Sequence, residues 1–389
     1  MAIYLDYNAS TPIAPEVAEA MQPYLRDGFG NPSSRHWAST DLQSTLAKAR
    51  IQVAELLGAK SSEIVFTSGG SEATNHALKG AYFQRGGGNA HIITTQIEHP
   101  ATTETCRFLG KLGAEVTYLP VDGEGYVSPA DFQAAITPQT IIVSVMHANN
   151  EVGTIEPIAE ISDIARAHDI LSHTDVAQSA GKIAVDVKAL GVDLLTLAGH
   201  KLYAPKGVGA LYIRDGVEIE PLIHGGGQEG GQRSGTESVV MAVALGTACE
   251  LARTHLSPDH LSKKRDYFWS TLHETFGDTI IQNGKLDARL PNTLNVSFIG
   301  RDGSKILEHL DGIAASTGSA CHEDQVTMSP VLAAMKVSDE IAVGAIRFSI
   351  GHATTAAEID QVVEALASAV SNLYPRQKTK DRFDEDFRL

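Results

Sequence analysis

Cysteine is scarce in this chain: Cys106, Cys249 and Cys321 are the only three among 389 residues. An odd number with no C-x-x-C pair provides neither a disulfide framework nor a structural zinc site, so any chemistry at cysteine uses a free thiol. Basic residues are also short, 31 Lys and Arg against 47 Asp and Glu, for a formal net charge of −16. A surface of that sign repels a phosphate backbone, which excludes non-specific nucleic-acid binding. No uninterrupted apolar run reaches the roughly 18 residues that mark a spanning helix, so no membrane segment is expected. The start, Met1-Ala2-Ile3-Tyr4-Leu5-Asp6, has neither the basic nor the apolar region of a secretion signal, and the expected location is the cytoplasm. With 43% hydrophobic and 20% charged residues the composition is that of a globular protein, which excludes disorder.

What is present reads as two domains, since one domain spans about 100 to 200 residues. Short β-rich runs at 63–67, 91–95, 116–119, 140–145, 170–174, 194–197 and 209–213 alternate with helical stretches at 41–57, 71–84, 102–112 and 158–168. That alternation predicts an α/β fold with a mainly parallel seven-stranded sheet, the helices serving as crossovers and the ligand-binding loops gathered at the strand ends. After 257 the texture changes to a long polar helix at 261–276 and a strand at 293–298, predicting a smaller α+β domain. The mixed charges of 378–386 read as a solvated tail.

Several strand-end motifs carry candidate chemistry. Ser68-Gly69-Gly70-Ser71-Glu72-Ala73 follows a strand and opens a helix, where backbone N–H groups and the helix dipole hold an anion; an ordinary glycine turn capped by Ser71 reads the same way. Gly225-Gly226-Gly227-Gln228-Glu229-Gly230 matches G-x-G-x-x-G, but it continues as loop rather than helix, and the dinucleotide reading is rejected. The adjoining Arg233-Ser234-Gly235-Thr236 suits either a phosphate or a subunit contact.

The pair Asp175-Val176-Ala177-Gln178 and Ala198-Gly199-His200-Lys201 is sharper, because both fall at strand ends beside the glycine turn. A lysine beside a phosphate site forms a Schiff base if its pKa is lowered, and a carboxylate on a second loop keeps a pyridine nitrogen protonated. Together they describe pyridoxal 5′-phosphate, although alone Lys201 reads as a surface lysine and Asp175 as a cap. His99, in Ile97-Glu98-His99-Pro100, stacks on a ring or moves protons, or is structural. Asn150, in Asn149-Asn150-Glu151-Val152-Gly153, has a simple turn as its other reading. Cys321 lies in the small polar stretch Ser316-Thr317-Gly318-Ser319-Ala320-Cys321-His322, which favours an accessible, reactive thiol, whereas Cys106 and Cys249 fall in helices where free cysteine is usually buried. His322 either promotes the thiolate or is a solvated neighbour.

These residues, with Tyr4-Leu5-Asp6-Tyr7-Asn8-Ala9, Gly30-Asn31-Pro32-Ser33-Ser34, His36 and Arg347-Phe348-Ser349-Ile350-Gly351, resemble the cysteine desulfurases of the NifS/IscS type, fold-type I pyridoxal-phosphate enzymes of the class-V aminotransferase family, over nearly the whole chain. The resemblance implies a large cofactor domain over 15–256, a small domain formed by 1–14 and 257–376, a charged tail at 377–389, and a homodimer whose sites are completed by the neighbouring subunit. It implies that Lys201 carries the cofactor, Asp175 partners the pyridine nitrogen, Gln178 donates to the ring hydroxyl, and His99 stacks on the ring and moves protons. Gly70, Ser71 and His200 match phosphate-binding positions, Thr236 matches the position that reaches the other subunit's phosphate, and Asn150 contacts cofactor and substrate. Asn150 and Arg347 hold the substrate carboxylate; Cys321 is the nucleophile. No metal is implied.

The implied reaction converts L-cysteine to L-alanine, places the sulfur on Cys321 as a persulfide and passes it to an acceptor protein, such as an iron–sulfur scaffold or a thiolation protein. Iron–sulfur cluster assembly, tRNA thiolation and DNA phosphorothioation are the candidate destinations. A selenocysteine lyase is the alternative, and a sulfur-carrier or scaffold protein without catalysis is a further rival. Ala198 stands where the family commonly has a phosphate-binding serine, and the run after Cys321 is unusually acidic. With no deletion between Cys321 and Arg347, the resemblance implies a long mobile loop that carries sulfur.

Overall fold

The computed structural model describes residues 2–255, 257–317, 321–322, 325–326 and 328–375. In chain order its elements begin with β1 (Ile3–Tyr4), α1 (Pro15–Arg26), α2 (Leu42–Leu57), β2 (Ile64–Thr67), α3 (Gly70–Gln84), β3 (His91–Thr95), α4 (Pro100–Lys111), β4 (Glu115–Leu119) and α5 (Pro129–Ala135). There follow β5 (Thr140–Ser144), α6 (Ile158–Ala167), β6 (Leu171–Asp175), α7 (Val187–Leu190), β7 (Leu194–Ala198), β8 (Gly209–Ile213), α8 (Val239–His255) and α9 (Pro258–Phe276). The last are β9 (Ile280–Asn283), β10 (Thr293–Phe298), α10 (Gly303–Glu308), β11 (Ile313–Ala314), β12 (Cys321–His322), β13 (Gln325–Val326), α11 (Pro330–Ala334), α12 (Asp339–Ala342), β14 (Ala345–Ser349) and α13 (Ala356–Leu373).

The expected seven-stranded sheet is present, in the order β2-β8-β7-β6-β5-β3-β4. Where a helix intervenes between strands the neighbours are parallel, as for β5 with β6 and β6 with β7. β8 is the exception, antiparallel to both β7 and β2, because a short connection without a crossover helix turns the chain back on itself. Successive residues on the strands serve opposite faces. Ile92, Ile142, Leu194 and Leu211 join Ala73, Ala77 and Leu78 of α3 in one apolar cluster, while Ile93, Val143, Leu195 and Ala210 belong to another with Ile161 of α6. Helices therefore cover both faces, which explains why the inner strands read as continuous apolar runs.

Beyond α8 a three-stranded antiparallel sheet, β9-β10-β14, carries its own core. Phe268 and Leu272 of α9, Val296 and Phe298 of β10, Phe348 of β14 and Leu366 of α13 pack there, with the Phe268 and Phe348 rings edge to face at 5.1 Å. Ile3 and Leu5 from the amino-terminal segment join the same cluster, and β1 pairs in parallel with β11. Among the described residues no single helix is long and apolar enough to cross a membrane.

Candidate active site

The carboxyl ends of β2, β6 and β7 open on a cavity of about 590 Å³, with the amino-terminal segment and Arg347 of β14 as its further wall. It gathers Gly70, Ser71, His99, Asn150, Asp175, Gln178, His200, Lys201 and Arg347, residues spread from one end of the chain to the other.

One end suits an anion. α3 starts at Gly70 with no side-chain cap, and its first amides have no carbonyl behind them to bond, so they point into the cavity at the positive end of the dipole. A Cβ added at Gly70 would sit 3.1 Å from the Ala198 methyl, which shows how closely the helix start meets the end of β7. Ser71, His200 and Lys206 share this end of the lining. Burial first, then the neighbouring Lys201, Lys206 and His99, lowers the His200 pKa to about 4, so the ring is neutral, and its Nδ1 lies 3.3 Å from Ser10 Oγ. The nearby Glu72 carboxylate does not oppose an anion with a bare charge. Burial raises its pKa, but Arg233, at 2.9 Å, and the Ser68 amide outweigh that and hold it below the usual range.

At the other end stand the amine and the acid. Lys201 lies just past β7, in a turn clamped by Thr11, whose N–H and hydroxyl both donate to the His200 carbonyl, at 2.9 and 3.0 Å, while its Oγ1 accepts from Tyr203 N–H at 2.8 Å. The Lys201 amine donates to the backbone carbonyls of Asn8 and Ala9. Burial, helped by the Arg347 guanidinium and opposed by Asp175 and Asp6, lowers its pKa to about 8. Asp175 ends β6; among the described residues its carboxylate accepts only the Ala177 N–H, at 2.8 Å, and burial raises its pKa against that bond and the nearby His99 and Lys201. A buried acid of this kind calls for a cationic or N–H partner inside the cavity. His99 is the N-cap of α4, its Nδ1 accepting the Ala101 N–H at 3.1 Å, which leaves the proton of the neutral ring on Nε2. Enclosure by the cavity walls lowers its pKa, Asp175 opposes and Lys201 assists.

Arg347 Nη2 pairs with Asp6 Oδ1 at 2.7 Å and Nη1 donates to the Asn150 carbonyl at 3.1 Å, whereas its buried Nε has no hydrogen-bond partner among the described residues. A guanidinium held by two groups with a third donor unmet is built for a carboxylate ligand. Beside it, Asn150 lines the cavity.

One of the expected residues falls elsewhere. Thr236 is exposed and lines a neighbouring cleft with Ser68 and Arg233 rather than this cavity. The Cys321 side chain lies outside the described residues, as does the tail at 377–389. Both flanks of its segment are placed: Ser316 exchanges backbone hydrogen bonds with Arg347, and Ser329 donates to the Glu151 carboxylate next to Asn150. Cys106 and Cys249 are buried free thiols, the first pushed up to about 12 by burial and the second also raised, so neither supplies a thiolate at neutral pH. Sequence reasoning missed Asp6, Asn8, Glu151 and Lys182 as parts of the site. Asp6 and Asn8 sit in the motif that carried the resemblance, which was the available signal; Lys182 follows Gln178 by four residues in a turn and had none of its own.

The amides of α3, the lowered Lys201 amine, the buried Asp175 acid and neutral His99 in one cavity fit pyridoxal 5′-phosphate: a phosphate, an aldehyde carbon and a pyridine nitrogen each have a complementary group. Known proteins point the same way. Residues 3–362 match the model of the family described as aminotransferase class-V. The chain is 48% identical over 375 residues to the cysteine desulfurase IscS of Dictyoglomus turgidum, covering 95% of both chains. A solved NifS-like protein superposes with a TM-score of 0.89 at 39% identity, covering 96% of this chain and all of that one. SspA, solved in complex with cysteine, matches with a TM-score of 0.81 at 39% identity over 90% of this chain and 98% of its own. Family, relatives and cavity agree: the chain belongs to the class-V aminotransferases and, within them, to the pyridoxal-phosphate-dependent cysteine desulfurases.

Proposed function

We propose that this protein converts L-cysteine to L-alanine and carries the released sulfur as a persulfide on Cys321 before handing it to an acceptor protein. The observation that carries the reading is the cavity in which Lys201 and Asp175 stand opposite an amide-lined anion end and Arg347, its Nε unmet among the described residues, lines the same wall as Asn150.

Gly70, Ser71 and His200 would hold the cofactor phosphate, with Thr236 of a second copy closing that end; Asp175 would hold the pyridine nitrogen and Gln178 the ring hydroxyl. Pyridoxal 5′-phosphate, when bound, withdraws electrons from the Cα of an amino acid joined to its aldehyde carbon and so eases loss of a proton there. Lys201, with its pKa brought to about 8, reacts as a free amine and afterwards takes and returns protons at the substrate carbons. Neutral His99 keeps a proton on Nε2 to share with the site. Arg347 and Asn150 orient the substrate by its carboxylate. The Cys321 thiolate attacks the substrate sulfur; an S–S bond forms as the Cβ–S bond breaks, and the electron pair stays with the carbon that becomes the methyl of alanine. The anchoring of Ser316 at Arg347 and of Ser329 beside Asn150 supports this role, because the segment bearing Cys321 is rooted on both sides of the substrate end.

The same reading divides the chain into a cofactor domain, 15–256, and a small domain of 1–14 with 257–376, in line with the two apolar cores. It makes the protein a homodimer. Thr236 is exposed and outside its own cavity, and Phe29 and Trp37 are 73% and 81% exposed, as suits residues covered by a second copy. Chemistry on a free thiol belongs to a reducing compartment, the cytoplasm. The acidic surface favours an acceptor with a basic docking face, such as an iron–sulfur scaffold or thiolation protein.

Single-turnover reaction with L-cysteine tests the proposal, with alanine quantified and persulfide trapped by mass spectrometry. Stoichiometric alanine and a persulfide on Cys321, both lost in Cys321→Ala, are expected. Loaded cofactor without persulfide overturns it, and turnover of selenocysteine alone would then identify a lyase.

A further inference from the structure

Behind the cofactor site lies a second amine that the proposed reaction does not use. Lys182 is only 7% exposed, and among the described residues its Nζ meets no carboxylate. It donates instead to two amide oxygens, Gln178 Oε1 at 3.0 Å and Asn8 Oδ1 at 3.4 Å. Burying a lysine without a counter-ion is costly, and nearby Lys201 and Arg347 are themselves cations that make it more so. Such a group survives where its hydrogen bonds have a use.

Their effect is directional. The amine, whose pKa burial and those cations lower to about 7, donates an N–H to each oxygen, which turns the Gln178 oxygen toward Lys182 and its nitrogen away. The Gln178 Nε2 then donates to the Asn8 carbonyl at 3.0 Å, which leaves its second hydrogen for the cavity that Gln178 lines. Asn8 is sorted the same way. Its Oδ1 accepts from Lys182 and from Asn292 Nδ2 at 3.0 Å, so its Nδ2 donates to the Asn150 carbonyl at 3.1 Å and Thr293 Oγ1 at 2.8 Å. The backbone carbonyl of the same Asn8 receives the Lys201 amine.

We propose that Lys182 is a positioning residue, whose Nζ orients the Gln178 amide so that an N–H rather than a C=O faces the ring-hydroxyl end of the cofactor site, and steadies Asn8 beneath Lys201. This rests on the cofactor placement given above.

The test is a double-mutant cycle on the cofactor-loaded protein without substrate, reading the pH midpoint of the cofactor absorption band in wild type, Lys182→Met, Gln178→Leu and the double variant. A ring oxygen that loses its donor holds more negative charge and keeps the Lys201 nitrogen protonated to higher pH. Lys182→Met is therefore expected to raise the midpoint by about one unit, as is Gln178→Leu, and the double variant to add little to either. An unchanged midpoint in folded Lys182→Met overturns the proposal. So does a shift that persists undiminished in the Gln178→Leu background, since Lys182 would then act through its charge and not through the amide. Should Lys182→Met fail to fold, Lys182→Gln, which brings a neutral amide of either orientation, carries the same cycle with a partial shift expected. Absence of any cofactor band in the wild type is a separate result, and it strikes the cofactor placement itself.

Discussion

Glu98 and His99 are adjacent in sequence and opposite in circumstance. His99 borders the cavity, whereas Glu98 is buried under it, with Oε1 accepting the Thr95 hydroxyl at 2.8 Å and the Met146 N–H at 2.9 Å and Oε2 unpartnered among the described residues. Burial, with Asp175 adding like charge, pushes its pKa up to about 8 against those two bonds. A carboxyl raised in the folded state binds more protons folded than unfolded between about pH 4.5 and 8, so stability is fully present below that window and falls as pH rises through it. Glu98→Gln keeps the accepting oxygen and removes the charge. Its melting temperature should match the wild type near pH 5 and exceed it near pH 8.5 by a few degrees, roughly 1 °C per kcal/mol for a chain of this size. Parallel melting curves for the two proteins would retire the idea that Glu98 is held protonated.

At the level of elements, the anion end depends on a contact between backbones. Gly209 opens β8 directly against the start of α3: a Cβ there would lie 2.5 Å from the Leu197 carbonyl oxygen and 2.7 Å from the Gly69 carbonyl carbon. Gly69 itself, at φ +151°, is in a region that side chains rarely adopt, and it aims the first amides of α3. Gly209→Ala must push that turn away from β7. Overpacking of this kind costs about 1–3 kcal/mol, and part of it should appear as roughly tenfold weaker binding of pyridoxal 5′-phosphate to the apo-protein, measured by fluorescence titration. Unchanged affinity with lowered stability would place the strain in the sheet alone. The glycine turn itself was legible, because strand, glycines and helix start are contiguous; the antiparallel partner that presses on it was not.

For the whole molecule, the amino terminus is the clasp. Asn8, 1% exposed, donates its N–H to Ser349 Oγ at 2.9 Å and its side chain reaches Thr293, both on the second sheet, while its carbonyl serves Lys201 beside the first. The site therefore forms only where both cores have folded. Completion by a second copy is the remaining part of the proposal, and it is measurable. Sedimentation equilibrium should give twice the 41.4 kDa of one chain. Thr236→Ala should leave that mass unchanged and weaken cofactor binding by about 1 kcal/mol, the worth of one hydrogen bond. A monomer with full cofactor affinity would contradict the proposed dimer.

The sequence by itself determined the alternation of strands and helices, the strand-end placement of Ser71, His99, Asp175 and Lys201, and the burial of Cys106 and Cys249 in their helices. Those properties are local: a side-chain period, a glycine turn before a helix, an apolar or polar neighbourhood. Only the tertiary structure decided that Asp6 holds Arg347, that Lys182 lies behind Gln178, and that Thr236 turns away from the cavity of its own chain. The reason is distance along the chain. Asp6 and Arg347 meet across 341 positions, and no pattern of neighbours announces which carboxylate a buried guanidinium will find once both cores close around it.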